Sequence, residues 1–176
     1  MVCLEKLDRN DFEEVFRIME QSFPIDERRE KEGQKKLLEE EKYELLGVKK
    51  QDRLLAFLAV WDFGDFVFVE HFAVDECARN SGIGGKMLEA LSEQKAGKVV
   101  LEVELPEDCL KKRRIAFYKR HGFAFNEYPY IQPPMGADRH AIPLRIMSAP
   151  EPLSEDEFKT VRAKLYENVY HYACEE

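Results

Sequence analysis

The N-terminal part of the chain shows helical spacing of its apolar residues. They recur on one helix face over residues 10–22, and Pro24 stands where the pattern stops, so we predict a helix there. Residues 26–42 are strongly charged, with only Leu37 and Leu38 suited to burial. This segment predicts a second, exposed helix.

Three segments with strand-like composition follow. Residues 43–49, 53–62 and 66–74 are rich in apolar and aromatic side chains, and Gln51-Asp52 and Gly64-Asp65 separate them. Short turns between such segments predict an antiparallel meander. The third segment is apolar at both odd and even positions, which indicates a strand covered on both faces. We therefore expect it to be the central strand.

The second half of the chain alternates between the two patterns. Helical spacing is found at residues 82–95, 110–121 and 154–170, and strand-like segments at 98–105, 123–132 and 141–148. This order predicts an α+β fold whose mixed, mostly antiparallel central sheet has about six to seven strands flanked by helices. Pro150 and Pro152 set off the last helix, so we expect one domain at residues 1–148 and a C-terminal helical extension at 149–176 packed on it.

Composition narrows the class of protein. A chain of 176 residues, 35% of them charged, suits one globular domain. The formal net charge of −8 argues against a nucleic-acid partner and favours a cationic ligand such as a protonated amine. No apolar stretch approaches the roughly 18 residues of a membrane span, and the N-terminus does not resemble a signal peptide. We expect a cytoplasmic protein with no membrane partner.

The cysteines suggest neither a metal site nor a disulfide framework. Cys3, Cys77, Cys109 and Cys174 are far apart, no Cys-x-x-Cys pair occurs, and the histidines do not cluster. We expect free thiols and no bound metal.

A glycine-rich turn, here called the glycine turn, lies between the third strand and the helix at 82–95. It reads Arg79-Asn80-Ser81-Gly82-Ile83-Gly84. Glycines let backbone N–H groups approach a ligand closely, and a helix N-terminus favours an anion, so the turn suits a pyrophosphate. Two nucleotide patterns are excluded, because Met87 stands where a P-loop needs Ser or Thr and where a dinucleotide fingerprint needs its third glycine.

The glycine turn resembles the Arg/Gln-x-x-Gly-x-Gly/Ala signature of the GNAT (GCN5-related N-acetyltransferase) superfamily. Arg79, Gly82 and Gly84 supply the matching positions, after a strand that ends in Phe72-Ala73-Val74. A second segment, Phe117-Tyr118-Lys119-Arg120-His121-Gly122-Phe123, resembles the family's Phe/Leu-Tyr-x-x-x-Gly-Phe. The two motifs are in the family's order, and the resemblance implies a single GNAT-like domain with acetyl-CoA-dependent N-acetyltransferase activity.

By this resemblance, acetyl-CoA is the acyl-donor co-substrate. A neutral amine attacks the thioester directly, so the protein must accept a proton, hold the carbonyl oxygen and protonate the leaving thiolate. Backbone groups of Phe72 and Val74 would hold the pantetheine arm as an added strand, and the N–H of Val74 would polarise the thioester carbonyl. The implied coenzyme contacts are Phe72, Ala73, Val74, Arg79, Asn80, Ser81, Gly82, Ile83, Gly84 and Tyr118.

Tyr118 matches the family's tyrosine near the coenzyme sulfur. A phenol with an ordinary pKa of about 10 would donate its proton to the departing thiolate, which makes Tyr118 the candidate general acid. Spacing alone also allows a core aromatic residue beside Phe117 on an apolar helix face.

Two glutamates are candidates for the general base, and the sequence leaves both open. Glu70 lies in an otherwise apolar strand, where desolvation would favour proton uptake; its alternative role is a structural carboxylate paired with an arginine. Glu102 lies in Leu101-Glu102-Val103, which resembles the Leu-Glu-Val-Arg stretch of the ribosomal-protein N-terminal acetyltransferases, where that glutamate is assigned as the base.

Glu104 follows Glu102 on the same strand face. The two carboxylates would serve as a base and a binder for a cationic amine, or form a solvated face. Those relatives carry an asparagine shortly after this strand, whereas a longer segment, residues 106–114, follows here. Its basic run at 111–114 would approach the 3′-phosphate of the coenzyme or remain solvated.

The resemblance assigns the acceptor side to the first helical loop and to strands near the C-terminus. In this chain these are residues 23–28 and 128–132, and the implied acceptor contacts are Phe23, Glu27, Glu104 and Tyr130. We expect a small amine or a peptide amine as acceptor. A homodimer is compatible with the sequence.

Other functions fit parts of the sequence. A non-catalytic acyl-CoA-binding regulatory module would keep the glycine turn without needing Tyr118 or a base. A protein-interaction domain would use the C-terminal helix through an exposed face containing Phe158 and Tyr166. A covalent route through an acylated Cys77 has no histidine partner identifiable from sequence.

Overall fold

The computed structural model describes residues 1–173, which form an α+β fold. The helices are α1 (Phe12–Ser22), α2 (Lys31–Lys36), α3 (Ile83–Gln94), α4 (Cys109–Arg120) and α5 (Glu155–Lys164). The strands are β1 (Glu5–Lys6), β2 (Tyr43–Lys50), β3 (Arg53–Asp62), β4 (Phe66–Val74), β5 (Lys98–Glu104), β6 (Ala124–Phe125), β7 (Tyr130–Gln132) and β8 (Ile142–Ala149). Strand pairing is mixed and mostly antiparallel, as predicted. The chain divides into two compact units, Met1–Leu101 and Glu102–Glu176.

The N-terminal unit is built on the predicted antiparallel meander. β1 pairs with β2, β2 with β3 and β3 with β4, and β5 adds parallel to β4. Successive residues of a strand point to opposite faces, yet neighbours such as Phe57 and Leu58, or Val67 and Phe68, are all fully buried. Both faces of β3 and β4 are therefore covered, and α1 and α3 contact β4.

Gly97 sets the start of β5. Its φ is +85°, and a Cβ atom there would lie 2.3 Å from the carbonyl oxygen of Asp65. A side chain would therefore have to displace the backbone just before β4. This close approach brings the two strands into register, with Lys98 opposite Phe66.

The C-terminal unit places β8 antiparallel to both β6 and β7. Buried Asn126 connects this sheet to the chain that follows it: Nδ2 donates to Oγ of Ser148 at 3.0 Å, and Oδ1 accepts from the N–H of Leu153 at 2.9 Å. Ser154 then caps α5 in a reciprocal capping box with Glu157. The helix ends in a π-helical turn at Leu165–Val169.

Most of the predicted elements are confirmed, but the second helix is much shorter than the predicted 26–42: α2 spans only Lys31–Lys36, and 3-10 turns lie at Ile25–Glu27 and Leu37–Glu39. β3 and β4 begin and end at the predicted residues. β1 is a strand that the sequence pattern did not predict, and the strand-like segment at 123–132 contains two short strands, β6 and β7. The predicted exposed face of the C-terminal helix is wrong: Phe158 and Tyr166 are 5% and 9% exposed, because both rings pack against Tyr130.

The described residues also bear on the predicted thiols. Cys3, Cys77 and Cys109 are free and exposed, whereas Cys174 lies outside the described residues. In residues 1–173 no three His, Cys, Asp or Glu side chains gather into a group that would hold a metal ion. Across the same part of the chain, no helix has both the length and the apolar character needed to cross a membrane.

Candidate active site

The glycine turn leads from β4 into an open helix N-terminus. Asn80 and Gly82 have φ values of +62° and +80°, and this left-handed backbone reverses the chain at the start of α3. Within the described residues, no side chain caps Gly82, and the first turn of α3 contains no acidic residue. A Cβ atom at Gly82 would meet nothing within 4 Å. Uncapped N–H groups, the positive end of a helix dipole and open space are the features of an anion site.

Three hydrogen bonds hold the glycine turn and the residues that lead into it. The carboxylate of Asp75 accepts hydrogen bonds from Nη2 of Arg17 at 2.7 Å and from the N–H of Cys77 at 3.0 Å. These donors, Arg17 foremost, hold the pKa of Asp75 well below its usual range. Nε of Arg79 donates to the carbonyl of Val74 at 3.3 Å, which joins the turn to the end of β4.

The backbone of β4 continues past its parallel partner at its C-terminal end. Among the described residues, parallel pairing with β5 ends at Val69 opposite Leu101, whereas antiparallel pairing with β3 continues to Val74. A β-bulge separates the two stretches: Val69 and His71 pair with successive residues of β3, so Glu70 is the extra residue. An extended ligand can pair with such an edge as an added strand.

The carboxylate of Glu70 lies in a buried ion pair. Its Oε1 is 2.7 Å from Nη1 of Arg29, and its Oε2 accepts a hydrogen bond from Nε1 of Trp61 at 3.2 Å. The side chains of Glu70 and Arg29 are 1% and 11% exposed. Glu70 was predicted to be either a general base or a structural carboxylate paired with an arginine. The structure contains such a pair, and the partner is Arg29, which lies just before α2.

The loop between α1 and α2, residues 23–30, is tied to β4 by further contacts. Nε2 of His71 donates to the carbonyl of Glu27 at 2.7 Å, and the ring of Phe23 meets His71 edge-on with centroids 4.8 Å apart. Burial lowers the pKa of His71, so its imidazole is neutral at neutral pH. Two predicted acceptor contacts, Phe23 and Glu27, are therefore brought together next to His71.

Tyr118 lies on the inner face of α4. It is 9% exposed and packs edge-on against Phe117 and Phe123, with ring centroids 5.4 and 5.7 Å away. Burial raises the pKa of Tyr118 to about 12, against the opposing charge of Arg114. The phenol consequently keeps its proton at neutral pH, as a general acid must.

Glu102 is surrounded by tyrosines of the C-terminal unit. The hydroxyl of Tyr170 donates a hydrogen bond to Oε1 of Glu102. Burial, reinforced by the charge of Glu102, raises the pKa of Tyr130 well above its usual range. The ring of Tyr166 lies 5.9 Å from that of Tyr130. Glu102, a predicted base, and Tyr130, a predicted acceptor contact, are thus neighbours. Tyr166 packs beside Tyr130, and Tyr170 is hydrogen-bonded to Glu102.

Glu104 lies in a different environment from Glu102. Its two carboxylate oxygens are 3.0 Å from Nη1 of Arg114 and 3.3 Å from Nζ of Lys111. An incoming ammonium would have to compete with these cations. These salt bridges use Lys111 and Arg114, two of the four residues of the basic run at 111–114. The other two, Lys112 and Arg113, are exposed.

Cys77 does not have the environment of an activated nucleophile. The Cys77 thiol donates a hydrogen bond to the carboxylate of Asp75, and this bond raises the pKa of the thiol. A raised pKa leaves less of the thiolate that a covalent route requires.

Arg29, Trp61 and Tyr170 were missed by the reasoning from sequence. Arg29 lies in a long charged run, where nothing local separates it from its neighbours. Trp61 could have been identified from the sequence as a possible partner of Glu70. It is the only tryptophan of the chain and occurs near the end of the strand that precedes the one carrying Glu70. Tyr170 lies far from β5 in sequence, and only the folded chain brings it to Glu102.

Known proteins resemble this chain in sequence and structure. The sequence pattern of a family described as an acetyltransferase (GNAT) domain matches residues 41–124. YjbC of Bacillus subtilis (strain 168), which is assigned to the acetyltransferases, is 28% identical over 156 residues, 87% of this chain and 79% of that protein. A solved GNAT-family structure from Bacteroides thetaiotaomicron is 32% identical with a TM-score of 0.88, covering 98% of this chain and 100% of that one.

A more distant structure, Arabidopsis thaliana NAA60 in complex with acetyl-CoA, shares the fold at 16% identity and a TM-score of 0.65, over 84% of this chain and 97% of that one. The family pattern spans β2 to α4 and includes the glycine turn. The Bacteroides relative extends the match to nearly the whole chain. The chain therefore belongs to the GNAT family of acetyltransferases.

Proposed function

We propose that this protein is an acetyl-CoA-dependent N-acetyltransferase that moves an acetyl group from coenzyme A to a primary amine by direct attack. The observation that carries the proposal is the uncapped N-terminus of α3 at the glycine turn, directly after a β4 edge that continues past β5. The first feature suits a pyrophosphate and the second the amide groups of pantetheine. Membership of the GNAT family supports this class of reaction.

The donor site we propose uses backbone groups more than side chains. The N–H groups of residues 81–84 bind the pyrophosphate, and Arg79 adds positive charge beside it. The backbone of Phe72, Ala73 and Val74 pairs with the pantetheine arm, and the N–H of Val74 polarises the thioester carbonyl. Arg79, Asn80, Ser81 and Gly82 are exposed, which supports access of a ligand to the turn.

Tyr118 is the general acid in this proposal. The amine nitrogen forms a bond to the carbonyl carbon as the carbon–sulfur bond breaks, and Tyr118 gives its phenolic proton to the departing sulfur. A carboxylate takes one proton from the ammonium to give the neutral amine, and the nitrogen loses a second proton to solvent as the amide forms. Solvent then returns one proton to Tyr118, and the carboxylate releases its proton to solvent. With a pKa of about 12, Tyr118 carries its proton at neutral pH, as a general acid must before the sulfur leaves.

Glu102 and Glu70 are both proposed as proton acceptors, and their contacts favour Glu102. Protonation of Glu70 would break its buried ion pair with Arg29. At Glu102 the donor is the hydroxyl of Tyr170, so proton uptake breaks no salt bridge with that partner. This setting suits a carboxylate that takes a proton from an ammonium.

The acceptor we propose is a small primary amine or the free amino group of a peptide. The net charge of −8 attracts a cationic acceptor from a distance. Phe23 and Glu27 in the α1–α2 loop and Tyr130 beside Glu102 are the contacts proposed for it. Glu104 is the weakest of them, because Lys111 and Arg114 already neutralise it.

Acetyl-CoA turnover with a panel of amines tests the proposal. Spermidine, tyramine, lysine and a short peptide with a free N-terminus each receive acetyl-CoA and enzyme, while free thiol and acetylated amine are measured. We expect amine-dependent thiol release that matches acetylated product mole for mole. Thermal stabilisation by coenzyme A with no acetylated amine would favour the acyl-CoA-binding module, and no stabilisation at all would contradict the donor site.

A further inference from the structure

The end of the C-terminal segment, residues 153–173, contacts the candidate site through side-chain hydroxyls. Tyr166 donates to the backbone carbonyl of Ile131 in β7, and Tyr170 donates to the carboxylate of Glu102 in β5. Tyr166 and Tyr170 are 9% and 8% exposed. A helix that only covered apolar surface would not need either hydroxyl, so these bonds point to a more specific role.

The π-helical turn sets the direction of Tyr170. The N–H of Tyr170 donates to the carbonyl of Leu165, five residues earlier, at 3.1 Å. One extra residue in a turn rotates the side chains that follow by about 100° relative to an uninterrupted α-helix. Leu165 and Val169 are 0% and 1% exposed, so packing holds the turn in place. Such turns occur frequently at functional sites.

The bond from Tyr166 supports the same arrangement. It holds β7 at Ile131, next to Tyr130, and the rings of Tyr166 and Tyr130 pack 5.9 Å apart. Tyr130 lies close enough to Glu102 for the carboxylate to act on its pKa. Tyrosines from β7 and from the C-terminal segment therefore approach Glu102 together.

We propose that Tyr170 is a positioning residue for the catalytic base, so that this one side chain of the C-terminal segment acts on Glu102. Its hydroxyl fixes Oε1 of Glu102 and with it the plane of the carboxylate. A base whose rotamer is held by a second residue reaches the amine in one orientation instead of several. The inference rests on the proposed function, in which Glu102 takes the proton of the amine.

A double-mutant cycle in the full chain tests this role. The variants are Tyr170→Phe, Glu102→Gln and the two combined, assayed with acetyl-CoA and the best amine of the panel. Tyr172→Phe is the matched control, because Tyr172 lies two residues away and is 48% exposed. We expect Tyr170→Phe to lower kcat roughly 10-fold with an unchanged KM for acetyl-CoA, and Tyr172→Phe to leave both unchanged.

The decisive comparison is Tyr170→Phe in the Glu102→Gln background. If Tyr170 acts through Glu102, the double variant has the same kcat as Glu102→Gln alone. A Tyr170→Phe loss of equal size in both backgrounds would show a structural role and overturn the inference. Equal thermal shifts with coenzyme A in all variants are expected, since each keeps the fold and the donor site.

Failure of this inference is distinguishable from failure of the proposed function. Wild-type turnover with an unaffected Tyr170→Phe variant overturns the positioning role alone. Turnover unaffected by Glu102→Gln overturns the role together with the assignment of the base. Absence of turnover with every amine overturns both the function and the role that depends on it.

Discussion

Arg29 and Glu70 form a buried ion pair that joins the α1–α2 loop to β4, with Nη1 of the arginine 2.7 Å from Oε1 of the glutamate. Glu70 is the extra residue of the β4 bulge, and its neighbour His71 holds the same loop through the carbonyl of Glu27. The bulge therefore directs two adjacent polar side chains towards the loop that carries Phe23 and Glu27. In this arrangement Glu70 supports the loop, whichever glutamate takes the proton.

Replacing Glu70 by Gln should destabilise the protein by about 3 kcal/mol, because it breaks the buried ion pair with Arg29. The free energy of unfolding from urea denaturation measures this effect. Glu13→Gln is the control, since its pair with Lys31 is exposed and its loss should not change stability measurably. Equal stability of Glu70→Gln and the wild type would contradict the importance of the pair.

Two glycines allow steric and conformational strain to be separated. Gly64 and Gly97 both have φ of +85°, but a Cβ at Gly64 meets open space and one at Gly97 meets the carbonyl of Asp65. Gly64→Ala should cost about 1 kcal/mol, the strain of a left-handed backbone. Gly97→Ala should cost about 2 kcal/mol more, because the backbone must move. Similar unfolding free energies for the two variants would argue against the close approach at Gly97.

Asp75 should make stability depend on pH at the acid end. Its folded pKa is depressed, so its contribution is fully present above the unfolded pKa of about 4 and is lost as pH falls below that value. The stability gap between the wild type and Asp75→Asn should be constant from neutral pH down to about pH 5 and then narrow. Urea denaturation at a series of pH values measures the gap. A gap that widens towards acid would reverse the assigned sign.

Tyr118→Phe should lower kcat about 100-fold without changing coenzyme A affinity, because the departing sulfur loses its proton donor. With a pKa of about 12, Tyr118 contributes no basic limb to the pH–rate profile of the wild type below about pH 10. Turnover at a series of pH values measures both effects. A basic limb near neutral pH that disappears in Tyr118→Phe would contradict the buried, protonated phenol.

The sequence predicted the elements that depend on local pattern. β3 and β4 were placed to the residue, because turn residues border two long apolar runs. The glycine turn was predicted from backbone requirements that its two glycines and the following helix start express locally. The two-residue strand β1 has no periodicity to detect, and it forms only because β2 lies beside it.

The contacts of the candidate site were less predictable, because they join residues far apart in sequence. The ion pair of Glu70 spans 41 positions to Arg29, and the hydrogen bond of Glu102 spans 68 positions to Tyr170. The apolar strand around Glu70 and the family resemblance around Glu102 singled out the two glutamates, but neither identified the partner residue. The expected exposed face at Phe158 and Tyr166 failed for the same reason, since β7 covers it with Tyr130.

The most direct test of the donor site is calorimetric titration of acetyl-CoA into the wild type, Ser81→Asp and Ser92→Asp. Both serines are exposed, and both changes add one negative charge, but Ser81 precedes α3 whereas Ser92 lies near its end. A carboxylate at residue 81 loses the hydrogen bond that the Ser81 hydroxyl donates to the carbonyl of Ala78, but the helix dipole attracts it and it repels a pyrophosphate. Thermal unfolding of the three proteins checks that the fold is kept. We predict binding to the wild type and to Ser92→Asp with similar affinity, and at least about 10-fold weaker binding to Ser81→Asp. No binding to the wild type, or equal affinity of all three proteins, would contradict a donor site at the glycine turn.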